Sequence, residues 1–229
     1  METVIAYLPS ILRGTWITIA ISVCSVVLAV ALGLLGAWGK LAASRVANSV
    51  TNAYTTLIRG VPDLVLMLLL FYGGQQLLND LGDATGWWGY IEINHFTAGV
   101  FTIGFIYGAY MTETFRGAYL AIPRGQVEAG VACGMNPRTV FLRVVWPQLV
   151  RYALPSFGNN WLVLLKTTAL VSVLGLHELV WESFTAGRST RQLFSFFLVT
   201  LVIYLVLTAI SDIGLRWLDR KYSVGVRRA

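Results

Sequence analysis

Apolar side chains run along this chain in blocks longer than the core of a small globule requires. Residues 14 to 39, GTWITIAISVCSVVLAVALGLLGAWG, hold no charged side chain, and roughly 20 apolar residues suffice to cross a bilayer core. Three further blocks follow the same pattern: 61 to 78 around LVLMLLLFY, 96 to 115 with Glu113 as its one charge, and 193 to 218, uninterrupted until Asp212. A fifth, 152 to 176, carries Pro155, Gly158, Asn159, Asn160 and Lys166, and is expected to be broken or partly re-entrant. No barrel-like alternation is present, and a helix satisfies its own backbone where no water can. The expectation is an all-α integral membrane protein with five transmembrane helices, forming one domain over residues 1 to 229. The first block has no basic n-region before it and no small-residue cleavage site after it, so it reads as a retained span rather than a signal peptide.

Composition agrees. The chain has 229 residues, 56% of them hydrophobic and 12% charged, against about a quarter charged in soluble domains. Its net charge of +6 would suggest nucleic acid if the basic residues were clustered. Instead they sort by side of the membrane. Lys40, Arg45 and Arg59 lie between spans one and two; Arg116, Arg124, Arg138, Arg143 and Arg151 between three and four; Arg216, Arg220, Lys221, Arg227 and Arg228 near or after the end of five. The opposite side keeps Arg13, Arg188 and Arg191, and its 79 to 95 loop has acidic residues only. Basic residues resist translocation, which predicts an N-terminus outside and a C-terminus in the cytoplasm. Topology thus accounts for the charge, and no nucleic-acid partner is expected. Cys24 and Cys133 fall at different depths and do not suit a disulfide.

The chemistry of an energy source is missing from the pattern. Gly39-Lys40 is followed by Leu41, without the glycine five residues upstream that a phosphate-binding loop needs. His177-Glu178 lacks the second histidine of a zinc helix, and His95 stands alone, so no metal site is expected. Without a nucleophile elbow or a catalytic carboxylate pair, the chain reads as no enzyme. It either conducts passively or takes energy from a partner.

The inside segment 116 to 151 is too rich in helix formers to be a mere linker. In VEAGVACGMNPRTVFLRVVWP, Gly134 is placed to end one helix and Asn136-Pro137 to start the next. The small residues Ala129, Gly130, Ala132 and Gly134 beside Glu128 suit insertion into a groove, and suit a capped surface helix equally well.

This segment resembles the cytoplasmic loop of ATP-binding-cassette importer permeases, with its E-A-A, three residues, G, nine residues, I-x-L-P pattern. Glu128, Ala129 and Gly130 stand at the first three positions, Gly134 at the glycine, and Val144 to Pro147 at the end. Gly130, Val144 and Trp146 depart from it by small or apolar exchanges. More narrowly, TTLIRGVPDLVLMLLLFYG, GFIYGAYMTETFRGA, RYALPSFGNNW, KTTALVSVLGL and RKYSVGV resemble the histidine, basic amino-acid and opine permease subunits of polar amino-acid importers. The resemblance implies a type I importer fold. Glu128, Ala129, Gly130, Gly134 and Pro147 would form a coupling helix seated on an ATPase dimer, which binds the ATP and Mg. A paralogous permease or second copy and an extracytoplasmic amino-acid-binding protein are the other implied partners.

Ionisable groups inside spans are costly and are read as functional until paired. Glu113 either pairs with Arg116 three residues on or offers its carboxylate to a cationic substrate. Lys166 follows Asn159 and Asn160 by about two turns, so the three share a helical face and are candidate pathway residues, unless Lys166 pairs with Glu113. Arg59 and Asp63 are expected to form a local ion pair bracing the break at Val61-Pro62. Gly104 and Gly108 make a small-residue ridge for close helix packing. Trp87, Trp88 and Tyr90 suit an interfacial anchor.

Overall fold

The computed structural model describes residues 2–222. Arg227, Arg228 and positions 223–226 of the terminal RKYSVGV segment lie outside them. The described chain is helical throughout, without a strand: α1 (Glu2–Leu41), α2 (Arg45–Gly60), α3 (Asp63–Leu68), a π turn (Leu69–Gly73), α4 (Gly74–Thr85), α5 (His95–Leu120), α6 (Arg124–Ala132), α7 (Pro137–Val140), a second π turn (Phe141–Val145), α8 (Trp146–Thr167), a 3-10 turn (Thr168–Leu174), α9 (Leu179–Thr190) and α10 (Leu193–Tyr222).

Four stretches are long and apolar enough to cross a membrane: Val4–Leu41, Asp63–Thr85, Pro137–Leu174 and Leu193–Tyr222. Helix α5, the expected third span, is 26 residues long, about 39 Å, yet less apolar than these. Burial explains the difference. Thirteen residues of α5 are buried, whereas α10 buries only Phe196 and Thr200. The strongly apolar α10 faces outward, and the helix with glycines and hydroxyls sits where protein surrounds it.

The closest seam joins α1 to α5. A Cβ on Gly104 would come within 2.7 Å of Leu28, one on Gly108 within 2.9 Å of Leu32, and one on Gly36 would collide with Thr112. Glycines on both helices therefore let the backbones approach, and the expected Gly104 and Gly108 ridge is a packing surface against α1. Hydroxyls on this seam are satisfied locally, as Thr112 Oγ1 donates to Gly108 O at 2.8 Å and Ser22 Oγ to Thr18 O at 2.7 Å. A smaller cluster of Ile11, Leu179, Ala186 and Phe196 ties the N-terminal part of α1 to α9 and α10.

Several elements differ from the sequence reading. Helix α1 begins at Glu2 rather than near residue 14 and is about 60 Å long, which lets its first turns pack on α9. The stretch read as a loop between spans one and two is α2, an amphipathic helix burying Thr55 and Ile58. It rises beside α5 as far as Phe105, whose carbonyl accepts from the Tyr54 hydroxyl at 2.6 Å. Residues 61 and 62 are extended, and α3 starts at Asp63 with Pro62 at its N-cap. The second rod is thus α2 followed by α3 and α4, with the predicted break part-way along it. In the fourth block the α-helix stays continuous past Pro155 and changes to a 3-10 winding only at Thr168, a proline being tolerated where neighbours re-satisfy the freed backbone.

The α1–α5 seam generates a direct test. Gly36→Ala inserts a methyl group against Thr112, and overpacking of this kind costs about 1–3 kcal/mol, so the thermal midpoint of the detergent-solubilised protein is expected to fall. Gly117→Ala in the same helix α5 meets nothing within 4 Å; it is expected to leave the midpoint unchanged or raise it, because alanine replaces a helical glycine.

Candidate functional site

Two regions concentrate the polar chemistry: a helix–turn–helix at the basic end of the bundle, and a cavity between α2, α5 and α8.

The turn forms as its residues dictate. Gly134 has φ of +76°, a conformation that glycine adopts without the steric cost of a side chain. Gly134 N donates to Val131 O at 2.9 Å and Met135 N to Gly130 O at 3.1 Å, the paired bonds of a Schellman motif closing α6. Asn136 then caps α7 by accepting from Thr139 N at 2.8 Å, and Pro137 fills the first turn. The predicted helix, turn and helix are all present. Gly130 is buried against Val140, where a Cβ would lie 3.3 Å away, which accounts for glycine in place of the resemblance's alanine. Glu128, Ala129, Ala132 and Pro147 are exposed. Glu128 also lines a cavity of about 430 Å³ with Tyr119, Arg124 and Val127, and Val131, Phe141 and Leu142 leave apolar surface uncovered nearby.

The second region is a cavity of about 490 Å³ walled by Arg59, Tyr110, Glu113, Thr114, Asn159 and Asn160. Asn160 Nδ2 donates to Thr114 Oγ1 at 3.0 Å, joining α8 to α5. Glu113 is held twice: Oε2 accepts from Arg116 Nε at 3.0 Å, and Oε1 pairs with Lys40 Nζ at the end of α1. The Arg116 partner follows from the three-residue spacing. Lys40, 73 positions away in sequence, had no local signal.

Glu113, Asn159 and Asn160 are therefore brought together. Lys166 is not among them and does not pair with Glu113. It is exposed on the face of α8 toward α10, in a separate cavity of about 390 Å³ with Thr200 and Tyr204. Seven residues of regular helix keep Lys166 above Asn159 as expected, but Asn160, one position round, turns to α5 instead. The expected Arg59–Asp63 ion pair is absent from the described residues. Arg59 lies over the Tyr110 ring, 5.5 Å from its centroid, while Asp63 faces Tyr107 and Tyr110. The Tyr107 hydroxyl is bonded to Thr167 Oγ1 at 2.6 Å. The Asp212–Arg216 pair does form, Nε to Oδ2 at 2.8 Å.

At the far end, the loop before α5 is pinned to α4. Ile93 N donates to Gln75 Oε1 at 2.7 Å, Ile91 N to Asn79 Oδ1 at 2.8 Å and Trp88 Nε1 to Leu78 O at 3.1 Å. Trp87 and Tyr90 remain exposed, as an interfacial anchor requires. Glu178, met in the sequence only as the residue after His177, is fully buried. It caps α9: Oε1 accepts from Val180 N at 2.8 Å and Trp181 N at 3.0 Å, and Oε2 accepts from Thr18 Oγ1 at 3.2 Å. His177 stacks on Trp181 at 5.1 Å, and His95 packs near Phe71 at 5.5 Å, ordinary interface roles for both.

Membrane-length helices around a polar cavity, with an exposed helix–turn–helix at the basic end, define a membrane transport permease. The chain belongs to the family of binding-protein-dependent transport system inner membrane components, whose model matches residues 29–224. It is similar to HisQ of Escherichia coli K12, a histidine/lysine/arginine/ornithine transport system permease protein, with 54% identity over 219 residues and 96% of both chains covered. It is also similar to the octopine transport system permease protein OccQ of Rhizobium radiobacter, at 37% identity over 95% of this chain and 92% of that one. A crystal structure of an amino acid ABC transporter with histidines superposes with a TM-score of 0.81 at 29% identity, covering 96% of this chain and 97% of the other. The protein is a permease subunit of an ATP-binding-cassette importer, and ATP hydrolysis belongs to a separate subunit of such systems.

Glu178 supplies a pH test. Burial pushes its carboxyl up to about 7, against the opposing hydrogen bonds from Val180, Trp181 and Thr18. The folded state thus holds a proton that the unfolded carboxyl releases near pH 4.5, so stability is complete below that pH and falls as pH rises toward 7. The loss is on the order of 3 kcal/mol at most. Thermal midpoints between pH 5 and 8 are expected to decline in wild type and to be flatter in Glu178→Gln, which keeps the acceptor for the α9 amides.

Proposed function

We propose that this chain is the permease subunit of an ATP-driven importer of polar, basic amino acids. In this reading five rods cross the bacterial inner membrane: α1, the broken pair of α2 with α3 and α4, then α5, α8 and α10. All belong to one domain, with the N-terminus outside and the C-terminus in the cytoplasm. The distribution of Lys and Arg supports that orientation, as do the names of the relatives for the substrate class. The partners are a paralogous permease, two ATPase subunits that bind ATP and Mg, and an extracytoplasmic binding protein.

The observation that carries the reading is the exposed α6 on its glycine turn, tied through α7 to α8, which walls the polar cavity. Glu128, Ala129, Gly130, Gly134 and Pro147 form the coupling element that the ATPase moves. Glu113, Asn159 and Asn160 line the route, and Lys166 stands further along α8. ATP-driven closure of the ATPases rocks the two permeases and exchanges inward for outward access. Glu113 meets a cationic substrate by exchanging Lys40 or Arg116, since both carboxylate oxygens are otherwise engaged.

Gly134→Val tests the coupling element. A β-branched side chain at positive φ distorts the turn by a strain of about 1–2 kcal/mol or more, so ATPase copurification and arginine uptake are expected to drop together while membrane insertion persists. ATP-independent uptake by the lone chain would instead identify a stand-alone carrier or channel. In Glu113→Gln, competition among cationic, neutral and acidic amino acids is expected to shift away from cationic ones; unchanged selectivity removes Glu113 from the route.

A further inference from the structure

A furrow runs between α1 and α8 on the flank of the bundle. Gly33 and Gly36 draw α1 onto α5, where a Cβ on either would collide with Met111 or Thr112. Helix α8 packs on α5 from another side, through Asn160 and Thr167. The gap left over α5 is a cavity of about 280 Å³, with Phe115 as its floor, Val30 and Leu34 on one wall, and Trp146, Val150 and Phe157 on the other. Every residue lining it is apolar. It uses a different face of α8 from the polar cavity. Trp146, Val150 and Phe157 stack at steps of four and seven, and at 3.6 residues per turn Pro155 and Asn159, which wall the polar cavity, fall roughly half a turn away.

The depth of the furrow follows from α1. Val30 precedes Lys40 by ten residues, about 15 Å of helix, and Lys40 is paired with Glu113 at the basic end. That distance is half of a hydrocarbon core about 30 Å thick. The furrow therefore occupies the leaflet at the basic end, with Val30 toward the midplane and Phe115, next to Arg116, toward the surface. Trp146 marks the same end on α8, its ring 6.3 Å from that of Phe141, as suits an aromatic pair at headgroup level. Arg143 is exposed in the π turn that runs straight into Trp146, and has no ion-pair partner among the described residues. Arg116, by contrast, is already engaged by Glu113.

Size and charge together select the occupant. A helix with its side chains is about 10–12 Å across and rises 5.4 Å per turn, so one turn fills on the order of 400 Å³, more than the whole furrow. An extended hydrocarbon chain is narrow enough to enter. Basic sites between membrane helices select anionic headgroups, and an arginine bonds a phosphate through its planar fork. We propose that the furrow binds one anionic phospholipid of the leaflet at the basic end, an acyl chain lying between α1 and α8 and its headgroup at Arg143. The bound chain closes the gap behind α8, the helix continuous with α7 and the glycine turn, and it lies off the substrate route.

Native mass spectrometry of the purified complete transporter, titrated with phosphatidylglycerol and phosphatidylcholine of equal chain length, counts the lipids retained. Wild type is expected to hold phosphatidylglycerol in preference. Arg143→Gln is expected to cut that preference roughly fivefold, the contribution of one interfacial cation. Val150→Trp and Leu154→Trp fill the furrow and are expected to lower retention of both lipids while the ATPase subunits stay bound. Arg143→Gln changes an exposed side chain, so it decides the matter even where a furrow-filling variant fails to assemble. Equal retention of the two lipids by wild type overturns the assignment, as does a preference unchanged in Arg143→Gln. Retention unchanged in two assembled furrow-filling variants has the same force. Crosslinking of Val150→Cys to a partner permease overturns it as well, because the furrow is then an interface between subunits.

Discussion

Helix α5 cannot be left to lipid. It carries Thr102, Thr112, Glu113 and Thr114, three tyrosines and a run of glycines, and each hydroxyl or carboxylate turned to hydrocarbon would lose its partners. The rest of the bundle is arranged as the surroundings this helix needs. Helix α1 covers it along the glycine seam and supplies Lys40 to Glu113. Helix α2 lends the Tyr54 hydroxyl to the Phe105 carbonyl, and α8 lends Asn160 to Thr114 and Thr167 to Tyr107. The more apolar α10 is then free to face outward, and it does.

That arrangement also explains what the sequence could and could not disclose. Local chemistry was legible: Gly134 at its positive φ, Asn136-Pro137 starting α7, the break at Val61-Pro62, and the Asp212–Arg216 pair all depend on residues within four or five positions of one another. Helix α2 was missed because it is amphipathic rather than greasy. Of its sixteen residues only Thr55 and Ile58 are buried, so it never produces the apolar block by which spans are found. Lys40 as the partner of Glu113, and the turning of Lys166 toward α10, depend on which helices become neighbours. A periodic pattern specifies a face without saying what lies opposite. Pro155 lies inside α8 without ending it, and prolines are tolerated in membrane helices where other groups re-satisfy the freed backbone.

Charge inside the bundle is handled in two contrasting ways. Around Glu113 one carboxylate meets two cations near the basic end, an arrangement drawn from α1 and α5 in which both oxygens are engaged. At the break in the second rod Arg59 and Asp63 rest instead on aromatic and hydroxyl neighbours. Closed clusters resist rearrangement because removing one partner strands the others.

In the proposed coupling, α6 is joined to the cavity by continuous chain through α7 and α8. The Schellman turn ties α6 to α7, and the π turn at Phe141–Val145 runs without a gap into α8. Helix α8 touches α5 through Asn160 and, at its far end, through Thr167 on Tyr107, the hydroxyl beside Asp63. A π turn is wound more widely than the α-helix on either side. The second π turn, Leu69–Gly73, lies in the other rod that flanks the break. Both rods bordering the cavity thus contain a π turn, whereas α1 and α5, which form the glycine seam, are continuous α-helices.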